Sequence, residues 1–194
     1  MATYWTVAYD SGELGTAATS VTISSLDGNV DEEYQLICRF ISGSATATAY
    51  NLTCNADTTN YGWQRLYGDN TTAGASRGTN PAVLSQIGTT GAATGRTSFS
   101  ETIIHAKSGY VRTAISKWIK DINGTTVDSI HFWGGSWNDT SSNLTSLVIT
   151  ASEANGIGVG SRIILLKKST TLDTSKTWEQ IYKATFVNAV SNAD

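Results

Sequence analysis

The stretch that decides the fold is Tyr110–Gly134, YVRTAISKWIKDINGTTVDSIHFWG. Apolar residues recur in its first half at the spacing of an amphipathic helix, at Val111, Ala114, Ile115, Trp118, Ile119 and Ile122. Asn123 and Gly124 favour a different structure, because Asn-Gly is the strongest short signal for a β-hairpin. The segments on either side have matching lengths, and neither carries a convincing helix cap. We therefore interpret the stretch as a hairpin, with the helix as the alternative.

Working outward from this hairpin, most of the chain alternates apolar and polar residues with the period of two that half-buried strands require. About nine to eleven short strands result, with turn residues at the spacing typical of antiparallel sandwiches. The sequence predicts an all-β, antiparallel β-sandwich that is jelly-roll-like, with added edge strands. Asp69–Asn80 is predicted to be a long polar loop, because it is rich in Gly, Ser and Thr.

Two cysteines, Cys38 and Cys54, fall on the apolar faces of predicted strands. With Ser42–Thr48 as the turn, these two strands are expected to be neighbours with both thiols pointing inward. Free buried thiols are the favoured interpretation, because synthesis in the cytosol keeps thiols reduced. A disulfide is the alternative, whereas a zinc site lacks a second pair of ligands.

Composition excludes several classes of function for these 194 residues. Hydrophobic residues make up 40% of the chain, which argues against disorder, and the net charge of −3 provides no basic field for nucleic acid. The apolar runs are too short to insert into a membrane. Met1–Trp5 has none of the features of a secretory signal, so we expect synthesis in the cytoplasm without a signal peptide.

The chain divides unevenly, into a sandwich over residues 1–168 and a linker with a Trp-containing C-terminal arm over residues 169–194. The spacing Trp-x-x-apolar-Tyr occurs at both ends, in Trp5 and Tyr9 and again in Trp178 and Tyr182. One hypothesis is that these aromatic residues pack on a neighbouring subunit or form an extra edge strand. The alternatives are coincidence and a short closing helix.

Catalytic chemistry has little support in this sequence. His105 and His131 lie in different predicted strands, and no nucleophile elbow, metalloprotease motif, P-loop or dinucleotide fingerprint occurs. No pair of carboxylates on one strand face suggests glycoside hydrolysis. We predict a protein that is not an enzyme, with no catalytic residues.

One acidic turn has oxygen ligands at alternate positions, at Asp27, Asn29 and Asp31, as in the first half of a calcium loop. The glycine is misplaced for an EF-hand, and Cys38 occupies the place of the bidentate Glu. A looser structural Ca²⁺ site is one interpretation, and a solvated turn that leads into a strand is the other. No other cofactor is expected.

The six tryptophans are the most informative side chains. Trp133 and Trp137 flank a pair of glycines and are followed by Asn138, and Trp63 lies beside polar residues. Indole rings next to neutral hydrogen-bonding groups are suited to stacking on sugars and binding their hydroxyls. The alternative is that these indoles fill the sandwich core or a subunit interface.

Turn motifs along the chain carry a resemblance to a known group of proteins. They are Leu26–Gly28 with Asp31–Tyr34, Asn55–Asp57 with Asn60–Tyr61, Gly109–Arg112, Gly135–Trp137, Leu144–Leu147 and Gly156–Ile163. In these motifs the stretch from Leu26 to Lys168 resembles virion proteins of tailed bacteriophages that have a single jelly-roll-like β-sandwich. Members of that group are capsid decoration proteins, head fibres and tail-tip or adhesin domains, with no shared catalytic residues.

The resemblance implies a non-enzymatic structural protein of a bacteriophage particle, such as a capsid decoration protein, that assembles through loops and termini. It implies location in the virion after synthesis in the host cytoplasm, and partners that are further copies of the chain or other virion proteins of the capsid or tail. The alternative is a carbohydrate-binding β-sandwich module, as a receptor-binding or adhesin domain, whose partner is a host surface glycan.

Overall fold

The computed structural model describes residues 4–79, 81–121 and 126–169. Within these ranges the chain forms twelve strands and one short helical turn. They are β1 (Tyr4–Asp10), β2 (Ser20–Ile23), α1 (Gly28–Asp31), β3 (Glu33–Ile41), β4 (Thr48–Cys54), β5 (Tyr61–Asp69), β6 (Thr72–Thr79), β7 (Ser85–Thr90), β8 (Thr97–His105), β9 (Arg112–Asp121), β10 (Val127–Trp137), β11 (Leu147–Ala151) and β12 (Arg162–Ser169). In the part of the chain that is described, no helix has the length and apolar character needed to span a bilayer.

The strands form two antiparallel sheets that pack as a sandwich, which confirms the predicted all-β class. The large sheet has eight strands in the order β1-β12-β3-β8-β9-β10-β5-β6, and the small sheet has four in the order β2-β11-β4-β7. Four nested antiparallel pairs, β1 with β12, β2 with β11, β3 with β8 and β4 with β7, give the connectivity of a jelly roll. The jelly-roll prediction is therefore confirmed.

The remaining four strands are two insertions in this jelly roll. The hairpin β5–β6 lies between β4 and β7 in the chain, and β9–β10 lies between β8 and β11. Since β9 pairs with β8 and β10 pairs with β5, both hairpins continue the large sheet beyond the jelly roll. We call these four strands, β9, β10, β5 and β6, the extension.

The hairpin interpretation of Tyr110–Gly134 is confirmed, because β9 and β10 pair from Arg112 opposite Trp137 to Asp121 opposite Val127. Its apolar residues have helical spacing because they come from both faces of the strand rather than from one face of a helix. Both faces of this sheet carry large apolar side chains, with Trp118 buried on the inner face and Ile115 exposed on the outer face. The turn residues 122–125 lie outside the described residues.

Two further predictions about strands are wrong. Asp69–Asn80 is not a loop, because Thr72–Thr79 pairs with β5 as an edge strand whose small residues hide its β character. The strands that carry Cys38 and Cys54 are not neighbours, because β3 lies in the large sheet and β4 in the small sheet.

Both thiols nevertheless point into the core as predicted. Cys38 and Cys54 are free and buried, and burial raises the pKa of each thiol to about 12. The favoured interpretation of two buried free thiols is confirmed.

The core lies between the two sheets of the jelly roll. Phe40 of β3 stacks on Tyr50 of β4 with ring centres 3.9 Å apart, so one aromatic pair joins the sheets. The Tyr50 hydroxyl donates to Gly156 O at 3.1 Å, which satisfies its polar end inside the core. Full burial of Tyr34, Leu36, Leu52 and other apolar side chains supplies the main stabilising free energy.

Two of the four predicted interface residues, Trp5 and Tyr9, lie in the described part of the chain. Trp5 and Tyr9 lie on edge strand β1; Trp5 is 41% exposed, while Tyr9 is half-buried against the core. Trp178 and Tyr182 lie outside the described residues, as does the predicted arm 169–194 apart from the backbone of Ser169. Their role in an interface stays a prediction.

The small sheet covers only part of the large one. Its edge strand β7 lies over β9, where Ser85 Oγ donates to Ser116 Oγ at 2.8 Å and Trp118 Nε1 donates to Gln86 O at 3.1 Å. Leu84, just before β7, lies so close to Gly135 that a Cβ at this glycine would be 2.1 Å from Leu84 O. Since β7 is the last strand of the small sheet in the described part of the chain, no described strand covers the inner face of β5 and β6.

The two adjacent glycines of β10 give a matched test of this close approach. We expect Gly135→Ala to lower the free energy of unfolding by about 1–3 kcal/mol, because the added methyl group forces Leu84 and β7 away. Gly134→Ala should have little effect, because the nearest atom to its Cβ is Gln64 O at 3.9 Å. Urea unfolding of both variants measures the difference, and equal stability of the two would contradict the packing described.

Candidate functional site

The uncovered inner face carries a row of large side chains from a single strand. Trp63, Arg65, Tyr67 and Asp69 alternate along β5 and so point to the same side of the sheet, and all four are partly exposed. We call Trp63, Arg65 and Tyr67 the platform.

The edge strand β6 shapes the platform with small residues. Gly78 lies opposite Trp63, and Gly74 lies opposite Tyr67. A Cβ at Gly78 would be 2.6 Å from Trp63 Cε2, and one at Gly74 would be 2.5 Å from Tyr67 Cζ. The rings of Trp63 and Tyr67 therefore pack against the glycine backbone of β6, and this contact fixes the position of each ring over the edge strand.

Arg65 lies between the two rings. Its Cζ is 4.8 Å from the centre of the Tyr67 ring and 6.0 Å from that of Trp63, distances at which the cation is attracted to the rings. Its Nε donates to Ser76 Oγ at 2.7 Å. Among the described residues, no carboxylate forms an ion pair with Arg65.

Buried aromatic groups of β10 support the platform from behind. Trp133 is 4% exposed, and its ring centre lies 4.4 Å from that of Trp63 and 5.3 Å from Arg65 Cζ. Trp133 Nε1 is buried without a hydrogen-bond partner among the described residues. Trp133 therefore positions Trp63 and Arg65, and it does not itself present a ring face to solvent.

A second buried group, His131, joins the platform to the core. Its ring stacks on Trp118 at 3.8 Å and on Tyr67 at 5.5 Å, and its Nε2 lies 3.2 Å from Asp69 Oδ1. Burial lowers the pKa of His131, and the neighbouring Asp69 opposes this shift without reversing it. The imidazole is therefore neutral at neutral pH and acts as a flat ring in the stack.

The structure separates the residues that were predicted as one sugar site. Trp63 and Trp133 come together, although only Trp63 is accessible. Asn138 is exposed beyond the end of β10, where its backbone N–H donates to Asn60 O, at the far end of β5 from Asp69. The structure does not place Asn138 with the platform.

The prediction that Trp137 stacks on a sugar is wrong, because this indole belongs to the core. Trp137 is 1% exposed, its Nε1 donates to Asp57 Oδ2 at 2.8 Å, and Arg112 Cζ lies 4.8 Å from its ring centre. The glycine pair before it is part of strand β10 and is no flexible loop. The alternative, that these indoles fill the interior, is correct for Trp137.

The predicted calcium loop is a capped helical turn instead. Asp27 Oδ1 accepts from the backbone N–H groups of Asn29 and Val30, which is the usual role of an N-cap. Asn29 Oδ1 accepts from the backbone of Ser108.

Asp31, the third predicted ligand, is buried and pairs with Lys167 at 3.0 Å while it accepts from the Tyr34 hydroxyl at 2.7 Å. The side chains of Asp27, Asn29 and Asp31 are thus engaged in separate contacts and do not form a shared site. Among the described residues, no group of three or more His, Cys, Asp or Glu side chains is arranged to hold a metal ion.

Sequence reasoning missed Tyr67, Asp69 and the role of Arg65. The available signal was the alternation of Trp63, Arg65, Tyr67 and Asp69, which places all four on one face of a strand. Its significance depended on knowing that the inner face of β5 is left uncovered, and local sequence does not contain that information.

The fold and the platform define the class of protein as a jelly-roll β-sandwich with an exposed aromatic and cationic face. No protein-family model matches the chain, and no curated protein matches it significantly.

Comparison with solved structures gives low similarity. The crystal structure of Caenorhabditis elegans galectin LEC-6 matches with 9% sequence identity and a TM-score of 0.33, over 82% of this chain and 95% of the galectin. An engineered GH43 glycoside hydrolase matches with 9% identity and a TM-score of 0.25, over 78% of this chain and 34% of the hydrolase. At these TM-scores neither likeness supports a conclusion about fold or ligand.

The stacked histidine makes stability depend on pH. Because the pKa of His131 is lowered in the folded protein, the unfolded chain binds a proton more readily as pH falls through the ordinary imidazole value of about 6.5. The contribution of neutral His131 to the free energy of unfolding is therefore fully present above a pH of about 6.5 and is lost as the pH falls below that value. We expect a lower thermal unfolding midpoint at pH 5.5 than at pH 7.5.

His131→Phe keeps a flat ring between Trp118 and Tyr67 and should remove most of this pH dependence. His105→Gln is the control, because the His105 side chain is 69% exposed. Equal pH dependence in wild type and His131→Phe would show that other groups cause it.

Proposed function

We propose that this protein is a non-enzymatic, carbohydrate-binding jelly-roll module whose ligand lies on the platform. The observation that carries the proposal is the arrangement of Trp63, Arg65 and Tyr67, partly exposed and side by side on the face that the small sheet leaves uncovered.

The chemistry of the platform suits a sugar chain. Indole and phenol rings stack on the apolar faces of pyranose rings, and guanidinium N–H groups donate to hydroxyl or carboxylate oxygens. Trp63 and Tyr67 are four residues apart on a strand, so their Cα atoms are about 13 Å apart. A platform of that length fits an oligosaccharide better than a single sugar.

The ionisation state of Asp69, which lies in the same row as the platform, favours sugar binding over hydrolysis. A glycosidase needs a carboxylic acid that stays protonated to protonate the leaving group. A hydrogen bond from Ser129 and the adjacent His131 lower the pKa of Asp69, so this group is ionised at neutral pH. Asp69 is therefore suited to accept hydrogen bonds from sugar hydroxyls.

The second candidate is a structural protein of a bacteriophage particle, such as a capsid decoration protein, with the virion as its location. The turn motifs support it, and so does a broad apolar area on the outer face of the large sheet, which suits assembly. The two candidates are compatible, since the receptor-binding part of a particle binds host surface glycans.

A glycan array that carries bacterial surface oligosaccharides, with and without uronic acids, tests the proposed function. We expect the wild-type chain to bind, and both Trp63→Ala and Tyr67→Ala to weaken binding by about tenfold or more through loss of a stacking ring. Trp5→Ala is the matched control, because it removes an exposed indole from the opposite edge of the same sheet.

Absence of any array signal, or binding that Trp63→Ala and Tyr67→Ala leave unchanged, would contradict the glycan proposal. Quantitative mass spectrometry of purified particles of a phage that encodes the chain tests the second candidate. A fixed copy number per particle would support it, and absence from the particle would overturn it.

A further inference from the structure

We propose that the outer face of the large sheet, on β8, β9, β10 and β5, is an interface with a second copy of this chain. This face lies on the opposite side of the strands from the platform. Its large apolar side chains are between 38% and 62% exposed, and they are Leu66, Phe99, Ile103, Ile115, Ile119, Ile130 and Phe132. We call this group the outer apolar face.

Strand register makes these side chains contiguous. Phe99, Ile119 and Ile130 lie opposite one another on β8, β9 and β10. In the next row Phe132 lies opposite Leu66. In the row after that, Ile115 lies opposite Ile103, which is also exposed. The outer apolar face is thus one patch that spans four strands, and it differs from the scattered apolar residues found on every protein surface.

The size of the patch matches one side of a stable interface. At about half exposure, and roughly 200 Å² for a side chain of this kind, the seven residues expose about 700 Å². The largest apolar patch on a typical monomer is about 300–600 Å². A standard interface buries about 800 Å² on each partner, so the patch is large enough for stable association.

The charges on this face favour an identical partner. The charged groups at its centre, Glu101 and Lys117, pair with each other at 2.6 Å, and Glu101 also accepts from Gln35 Nε2. Among the described residues, the centre of this face therefore offers no unpaired charge by which a charged partner would be recognised. Two copies of one twisted sheet can pack face to face with an interior of apolar side chains, as the two sheets of a sandwich do.

A shallow groove at the centre gives this packing a defined contact. Phe99, Ile119, Ile130 and Phe132 surround a volume of about 270 Å³ that is open to solvent. In a twofold arrangement each copy inserts an apolar side chain into the groove of the other, and both grooves are filled at once.

Sedimentation equilibrium of the full chain at micromolar concentration tests the proposal. We expect a dimer or a higher symmetric oligomer for the wild type. Ile115→Lys and Leu66→Lys should each raise the dissociation constant by about a hundredfold or more, because a twofold interface contains each substitution twice. Both sites are about 60% exposed, so at concentrations where the wild type is also monomeric the variants should have the same thermal unfolding midpoint as the wild type.

Val159→Lys is the matched control, because Val159 is 58% exposed in a loop outside the outer apolar face. This variant should associate like the wild type. A monomeric wild type would overturn the proposal. If removal of residues 170–194 then produced an oligomer, the chain's own C-terminal segment would be the occupant of the face. An oligomer unaffected by both lysine variants would also overturn it, since another surface would then hold the copies together.

Discussion

The contact of Leu84 and β7 with the inner face of β9 and β10 determines where the sandwich ends. Gly135 permits the approach of the Leu84 carbonyl, and the hydroxyl of Ser116 accepts from Ser85 at the same boundary. Because no described strand follows β7 in the small sheet, the described strands of the large sheet continue beyond it as a single layer. Among the described residues, no strand covers the inner face of β5 and β6 or the outer face of the large sheet, and the two proposals concern these two surfaces.

The period of two along a strand gives each face its own chemistry. On β5, Arg65 points to the inner side and the next residue, Leu66, points to the outer side. A glycan on the platform and a second copy on the outer apolar face therefore do not compete for the same surface. Association through the outer face would direct the platforms of the two copies away from each other, so each copy would bind its glycan independently.

Much of the fold was predictable from the sequence, because alternation and turn residues act locally. Asn123 and Gly124 were enough to choose a hairpin over a helix. The edge strand β6 was not predictable in the same way, since Gly74 and Gly78 are turn-like residues until the rings of Trp63 and Tyr67 pack on them. Of the candidate site, the sequence predicted only Trp63 and its neighbour Trp133. The remaining residues could not be predicted, because the exposure of the β5 side chains depends on how far the small sheet extends.

The central claim is that the single-layer part of the large sheet binds sugar on its inner face. Backbone amide NMR shifts, recorded during titration with an oligosaccharide that binds on the array, test it most directly. The account predicts shift changes confined to β5, β6 and the adjoining part of β10, with saturation at one ligand per chain. Changes centred on the loops around Asn138 or on β1, with β5 and β6 unaffected, would contradict it.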